Sequence, residues 1–244
     1  MSFIVLIPAR LKSSRLPNKP LLNIKGKTLI QRVHEKAILS KADKVYVVTD
    51  SDLIATHCKD INAKSIMTDT DHQTGTDRLA EAASLLKLDD QQIVVNLQGD
   101  EPFTLPEDIN KVANLLDVYK SADMGTLYTL NLLESDIANK NRVKVLLDAN
   151  SKVVNFSRDK IDRINNKTNL GIHLGIYSYR VNFLNEYVKL QPSKNEKFLK
   201  LEQLRALDAN KNIFGESSSN EIHLGIDTPE DIILAEKIIE SYGI

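Results

Sequence analysis

The chain reads as an α/β protein, with a mostly parallel central sheet covered by helices and a smaller inserted sheet layer. Three observations predict this. The uninterrupted apolar run Phe3-Ile4-Val5-Leu6-Ile7 is a strand buried on both faces, because a strand with one wet face would alternate. Strand-like runs then alternate with helical segments, which implies β-α-β units and parallel pairing. From Met124 the rhythm changes to strands separated by turns, which marks the insertion.

The elements follow in order. After the first strand, Leu22–Lys27 turns at Gly26, and Thr28 with Gln31 forms a capping box for a helix whose buried face is Leu29, Ile30, Val33, Ala37 and Ile38. Lys44–Val48 is the second strand, and Ser51 caps the next helix. Lys64–Met67 is a short strand, Thr68–Gln73 a polar loop, and Leu79, Ala82, Ala83 and Leu86 mark the helix beyond it. Ile93–Leu97 is a further buried strand, and Ile109, Val112, Ala113 and Leu116 set the following helix against the sheet. Thr126–Leu132, Val143–Leu147, Val153–Phe156 and His173–Tyr179 read as the strands of the second half. Arg158–Asn169 is a polar loop, and Val181–Lys189 and Lys197–Ala209 are helical. The chain closes with a strand at Ile222–Ile226 and a helix capped by Thr228 and Asp231 with Pro229 in its first turn. There is no internal repeat.

Composition excludes several classes. With 32 Lys+Arg against 33 Asp+Glu in 244 residues, the chain lacks the basic excess of a general nucleic-acid or anionic-membrane binder. Aromatic content of 5% gives few platforms for stacking bases. The single cysteine, Cys58, cannot form an internal disulfide and suits a reducing compartment. The apolar run before Pro8 is too short for a signal peptide, and no stretch reaches the ~20 apolar residues of a membrane helix, so a cytoplasmic protein is expected. The five histidines have no zinc-site spacing.

The chemistry concentrates in three stretches. The first strand delivers Pro8-Ala9-Arg10 through Lys19-Pro20 to the carboxyl edge of the sheet, where open α/β folds bind ligands. This strap carries Arg10, Lys12, Arg15 and Lys19 without an acid, Ser13 and Ser14 add hydroxyls, and Pro8, Pro17 and Pro20 stiffen it. It has no glycine, so it is not a Walker-type loop. Gln98-Gly99-Asp100-Glu101-Pro102 follows another buried strand and reaches the same edge. Asp227 precedes the last helix, either as a local turn acceptor or as a ligand. Cations and two carboxylates at one edge suit a metal-bound polyphosphate, Mg²⁺ on Asp100 and Asp227 and phosphate oxygens on the cations. No Ser or Cys nucleophile stands with a base, which favours direct in-line transfer.

These stretches, with Asp71-His72-Gln73-Thr74-Gly75-Thr76, Phe156-Ser157-Arg158, His173-Leu174-Gly175-Ile176-Tyr177, Leu201-Glu202-Gln203-Leu204-Arg205 and Gly225-Ile226-Asp227-Thr228-Pro229-Glu230-Asp231, resemble the 3-deoxy-manno-octulosonate (Kdo) cytidylyltransferase family in order along nearly the whole chain. The resemblance implies a Rossmann-like nucleotidyltransferase fold, a single domain over 1–244 in which approximately 125–220 forms a sugar-binding and dimerisation subdomain, and a homodimer. It implies transfer of CMP from CTP to Kdo for lipopolysaccharide biosynthesis, with Mg²⁺ as cofactor and no covalent enzyme intermediate. Arg10, Lys19, Asp100 and Asp227 would be catalytic. Ala9, Arg10, Arg15, Lys19, Gly75, Arg78 and Gln98 would bind CTP, and Arg158, His173, Tyr177, Glu202 and Gln203 would surround the sugar. The chain departs from the family pattern at Asp77, where Glu is usual, and in the short segment 159–170. Taken alone, His173 and Tyr177 also fit packing roles, and Glu202 with Arg205 fits an i,i+3 surface pair. A cytidylyltransferase for another acidic sugar such as sialic acid, and a non-catalytic nucleotide-binding module, are the competing readings.

Overall fold

A computed structural model describes residues 2–11, 15–72, 74–131, 133–161 and 168–243. Lys12, Ser13 and Ser14 of the strap, Gln73, Leu132 and residues 162–167 of the polar loop lie outside the described residues. The first half builds β1 (Phe3–Ala9), a single 3₁₀ turn (Lys19–Leu21), the small hairpin β2 (Asn23–Ile24) and β3 (Lys27–Thr28), α1 (Leu29–Ile38), β4 (Lys44–Thr49), α2 (Asp52–Asp60), β5 (Ser65–Met67), α3 (Gly75–Leu85), β6 (Ile93–Asn96) and α4 (Pro106–Val118). The second half adds β7 (Met124–Thr129), α5 (Glu134–Ala138), β8 (Lys144–Leu147), β9 (Val153–Ser157), β10 (Asn169–Arg180), α6 (Val181–Tyr187), α7 (Lys194–Leu199), α8 (Leu204–Asp208), β11 (Ile213–Ser217) and α9 (Pro229–Tyr242).

The main sheet runs β11-β7-β10-β6-β1-β4-β5. β6, β1, β4 and β5 are parallel, as the β-α-β rhythm requires. The chain steps outward from β1 to β4 and β5, then returns to place β6 on the other side of β1, so the order reverses between β1 and β6. At such a reversal the two strand ends diverge and leave a crevice for ligand. β10 enters antiparallel to both β6 and β7, and its first residues pair with β8, which pairs with β9. The smaller antiparallel layer is therefore continuous with the main sheet through one long strand.

The alternation of β1 divides the core between two faces. Phe3, Val5 and Ile7 pack with Ile30 and Val33 of α1 and Ile109 and Val112 of α4. Ile4 and Leu6 pack on the other face with Leu79 and Ala83 of α3 and Leu184 of α6. A third cluster joins Leu16 of the strap, Phe103, Ile226, and Ala235 and Ile239 of α9. It ties the strap to the last helix.

Three local expectations are corrected. Thr28 does cap α1 by accepting from Gln31 N, but the Gln31 amide bonds Glu35 instead of reaching back, so no reciprocal box forms. The Lys197–Ala209 helix is two helices, broken where Lys200 takes a left-handed conformation (φ 53°). Ile222–Ile226 is not a strand; its apolar residues fill the third cluster from an irregular segment. The strand in this region is β11, parallel to β7.

Candidate active site

β1 and β6 are hydrogen-bonded neighbours, so Arg10 and the Gln98–Asp100 loop leave the sheet side by side. Gly99 permits this closeness: a Cβ there would stand 2.7 Å from the Pro8 carbonyl oxygen. The 3₁₀ turn, entered through Asn18 in a left-handed conformation and started by Lys19-Pro20, returns the strap over the crevice. Ile226 N donates to Asp100 O at 2.9 Å, which brings the segment before α9 to the same place.

Lys19 is the centre of the arrangement. Its Nζ lies 2.5 Å from Asp100 Oδ2 and 2.9 Å from Asp227 Oδ1, with the lysine side chain only 14% exposed. Burial by itself lowers the ammonium pKa, but Asp100 and Asp227 outweigh it and hold the net value above the ordinary lysine value. Arg15 reaches the other oxygen of Asp227 at 3.0 Å. Behind Asp100, burial and then the Asp100 charge push the Glu101 carboxyl up to about 8.

A cavity of about 410 Å³ opens above this cluster. Ala9, Arg10, Arg15, Lys19, Gly75, Arg78, Gln98, Asp100 and Asp227 all line it, so every residue expected for nucleotide or metal is brought together. Within that set Arg78 is occupied otherwise. It is buried, and its guanidinium donates to Asp50 Oδ2 at 2.8 Å, to Thr68 Oγ1 and to the Asp69 carbonyl, so it shapes the wall. Asp77 is explained here as well: with Thr74 it forms the reciprocal capping box of α3, a role a short carboxylate fills.

Whether the site suits Mg²⁺ can be judged from its donors. Two carboxylates from separate segments already converge on one cation, the Lys19 ammonium. Among the described residues no group of three or more His, Cys, Asp or Glu side chains gathers as a complete metal cage. Two hard oxygen ligands with the remaining positions left to phosphate and water is what Mg²⁺ favours. The residues fit the ion.

Gln98 also borders a second, smaller hollow of about 20 Å³, lined by Tyr177, Glu202 and Gln203 together with Thr76, Asn96, Tyr179 and Tyr187. Three of the expected sugar residues thus meet beside the larger cavity. Burial raises the Glu202 pKa, opposed by the hydroxyls of Thr76 and Thr74, and its Oε1 has no hydrogen-bond partner among the described residues. The surface pair with Arg205 does not form, because Arg205 makes a buried two-pronged contact with Glu196 at 2.6 and 2.9 Å and lies over the Tyr187 ring. Thr76, Asn96, Tyr179 and Tyr187 were not foreseen; each lies on an element with a strong packing pattern that masks a polar tip.

The other two expected sugar residues stand apart from both hollows. His173 Nε2 is 3.0 Å from Thr126 Oγ1, and its ring packs against Phe156 and Tyr177. Burial pushes its pKa down to about 3, so it is a neutral support behind Tyr177. Arg158 donates to the carbonyls of Leu199, Lys140 and Lys200 and holds the end of α7.

The family described as Cytidylyltransferase matches residues 4–213. A 3-deoxy-manno-octulosonate cytidylyltransferase of Pseudoalteromonas translucida (strain TAC 125) is 42% identical, with 99% of each chain covered. The protein of the same name from Vibrio vulnificus (strain YJ016) is 43% identical over 98% of each. A solved structure of CMP:2-keto-3-deoxy-manno-octonic acid synthetase complexed with CTP superposes with a TM-score of 0.89 at 34% identity, covering 99% of both chains. A cytidylyltransferase from Leptospira borgpetersenii, 16% identical with a TM-score of 0.61, shares the fold.

Proposed function

The chain belongs to the cytidylyltransferase family, and from that premise we propose that it transfers CMP from CTP to the anomeric hydroxyl of Kdo, releasing pyrophosphate. The observation that carries this reading is the convergence of Arg10, Arg15, Lys19, Asp100 and Asp227 on one cavity that adjoins the Tyr177–Glu202–Gln203 hollow through Gln98.

In this account the triphosphate lies against the strap, with Arg10, Arg15 and Lys19 on its oxygens and the Ala9 backbone at close approach. Gly75, Gln98 and the wall held by Arg78 receive the nucleoside. Tyr177, Glu202 and Gln203 orient sugar hydroxyls, Glu202 Oε1 being an acceptor that still lacks a donor. Asp100 and Asp227 would hold Mg²⁺, whose chemistry there would be to lower the pKa of a hydroxyl beside it and to neutralise phosphate charge. Lys19, turned from the two carboxylates to the triphosphate, and Arg10 offset the charge that develops on the leaving pyrophosphate. The sugar oxygen attacks the α-phosphorus in line as the bond to pyrophosphate breaks, its proton passing to solvent, without an enzyme-bound intermediate. His173 acts by fixing Tyr177, and Arg158 meets the Kdo carboxylate only by exchanging its three backbone carbonyls for it.

We further take residues of approximately 125–220 as the sugar-binding and dimerisation part of one domain, the protein as a cytoplasmic homodimer, and its product as an activated sugar for lipopolysaccharide. Among the described residues no helix is long and apolar enough to cross a membrane. An acceptor panel tests the proposal: pyrophosphate release from CTP is expected with Kdo, and preference for sialic acid would overturn the acceptor assignment.

A further inference from the structure

His72 lines the nucleotide cavity, yet the account above gives it no task. Its Nε2 stands 2.5 Å from Glu81 Oε2, and the same oxygen accepts from Asp69 N at 2.9 Å. An ionised carboxylate only accepts, so Nε2 must carry the hydrogen, and in the neutral ring Nδ1 presents its lone pair. Among the described residues no hydrogen bond engages Nδ1.

The surroundings say which part of a nucleotide this nitrogen meets. Arg10, Arg15 and Lys19 belong to the strap after β1, whereas His72 belongs to the segment entering α3, beside Asp69, Glu81 and Arg78, whose guanidinium is spent on Asp50, Thr68 and the Asp69 carbonyl. The amino end of α3 is itself closed by the Asp77 carboxylate in its capping box, so it offers no vacant anion site. With the Arg78 guanidinium so engaged, this wall offers phosphate no uncommitted cation and leaves the base as the part that can approach. Cytosine carries an amino donor at the position where uracil carries a carbonyl acceptor.

We propose that His72, oriented by Glu81, accepts a hydrogen bond at Nδ1 from the 4-amino group of cytosine and thereby sets the preference for CTP over UTP. His72 is the specificity residue and Glu81 its positioning residue. The inference rests on the reading that this cavity takes CTP.

Calorimetric titration of CTP and UTP into the full-length wild type, His72→Ala and Glu81→Met tests it, with kcat and KM for both nucleotides alongside. Loss of one hydrogen bond predicts CTP binding about tenfold weaker in His72→Ala with UTP binding unchanged. In Glu81→Met the carboxylate that fixes the Nε2–H tautomer and the orientation of the ring is gone, so the CTP:UTP ratio is expected to fall by up to about tenfold. This near-isosteric variant carries the test if His72→Ala does not fold. An unchanged ratio, or equal losses for both nucleotides, with CTP binding intact in the wild type, overturns the His72 assignment. Absence of CTP binding in the wild type overturns the nucleotide reading and the inference with it.

Discussion

Replacing Lys19 by Met keeps the length of the side chain and removes the cation held by Asp100 and Asp227. At 2.9 Å a unit charge pair is worth about 6 kcal/mol at an effective dielectric of 20, before the cost of burying the ammonium is subtracted. Breaking a buried pair by removing one member costs about 3–5 kcal/mol, and the lower end applies because the Asp227 side chain is 47% exposed. A loss of about 3 kcal/mol in a chain of this size lowers Tm by roughly 6–12 °C. The informative part is the response to metal. If the two carboxylates form a divalent-cation site that Lys19 fills in the ligand-free protein, Mg²⁺ in the millimolar range should raise the Tm of Lys19→Met more than that of the wild type, because the variant has no ammonium to displace. Thermal unfolding across a MgCl₂ series, with NaCl at matched ionic strength, measures this. Equal shifts in the two proteins would refute the metal reading of Asp100 and Asp227.

Other consequences are as direct. Asp100→Ala and Asp227→Ala should each lower kcat by about 10² or more, the scale of a lost transition-state contact, and near-normal turnover in either would remove that residue from the machinery. Glu202→Gln should raise the KM for Kdo about tenfold and leave the KM for CTP unchanged; a shift confined to CTP would place Glu202 on the wrong side of the site. The His173 pKa, pushed from 6.5 down to about 3, means the unfolded chain binds more protons than the native protein between those values. The wild type should therefore lose stability on acidification below about pH 6.5, by up to about 1.4 kcal/mol per pH unit relative to His173→Gln. Urea midpoints of the two proteins between pH 7 and 5 check this, and parallel profiles would contradict it.

The nucleotide side was legible because its residues sit at fixed offsets from strongly apolar strands. Once Phe3–Ile7 and Ile93–Leu97 are parallel neighbours, Arg10 and Asp100 must emerge together. Asp227 was legible through its helix cap. What the pattern could not give was side-chain economy: Arg78 and Arg158 look like ligand residues, and the structure shows their donors spent on Asp50 and on backbone carbonyls. Ile222–Ile226 alternates like a strand, but its apolar residues face Phe103 and α9 from an irregular segment and pair with no strand among the described residues. β11 escaped because Gly215 and Glu216 blunt its apolar signal; a Cβ at Gly215 would stand 2.8 Å from Leu147 Cδ2, so a larger residue there would require the Leu147 side chain to shift. The glutamine-side capping box of α1 failed where Glu35 offered the Gln31 amide a competing acceptor one turn on.

The account stands most directly on the reaction itself. Purified protein with CTP, Mg²⁺ and Kdo, followed by phosphorus NMR, should convert CTP into a sugar-nucleotide phosphodiester and pyrophosphate in equal amounts, with no turnover when Kdo is omitted. Bound CTP that stays intact beside Kdo would contradict the account.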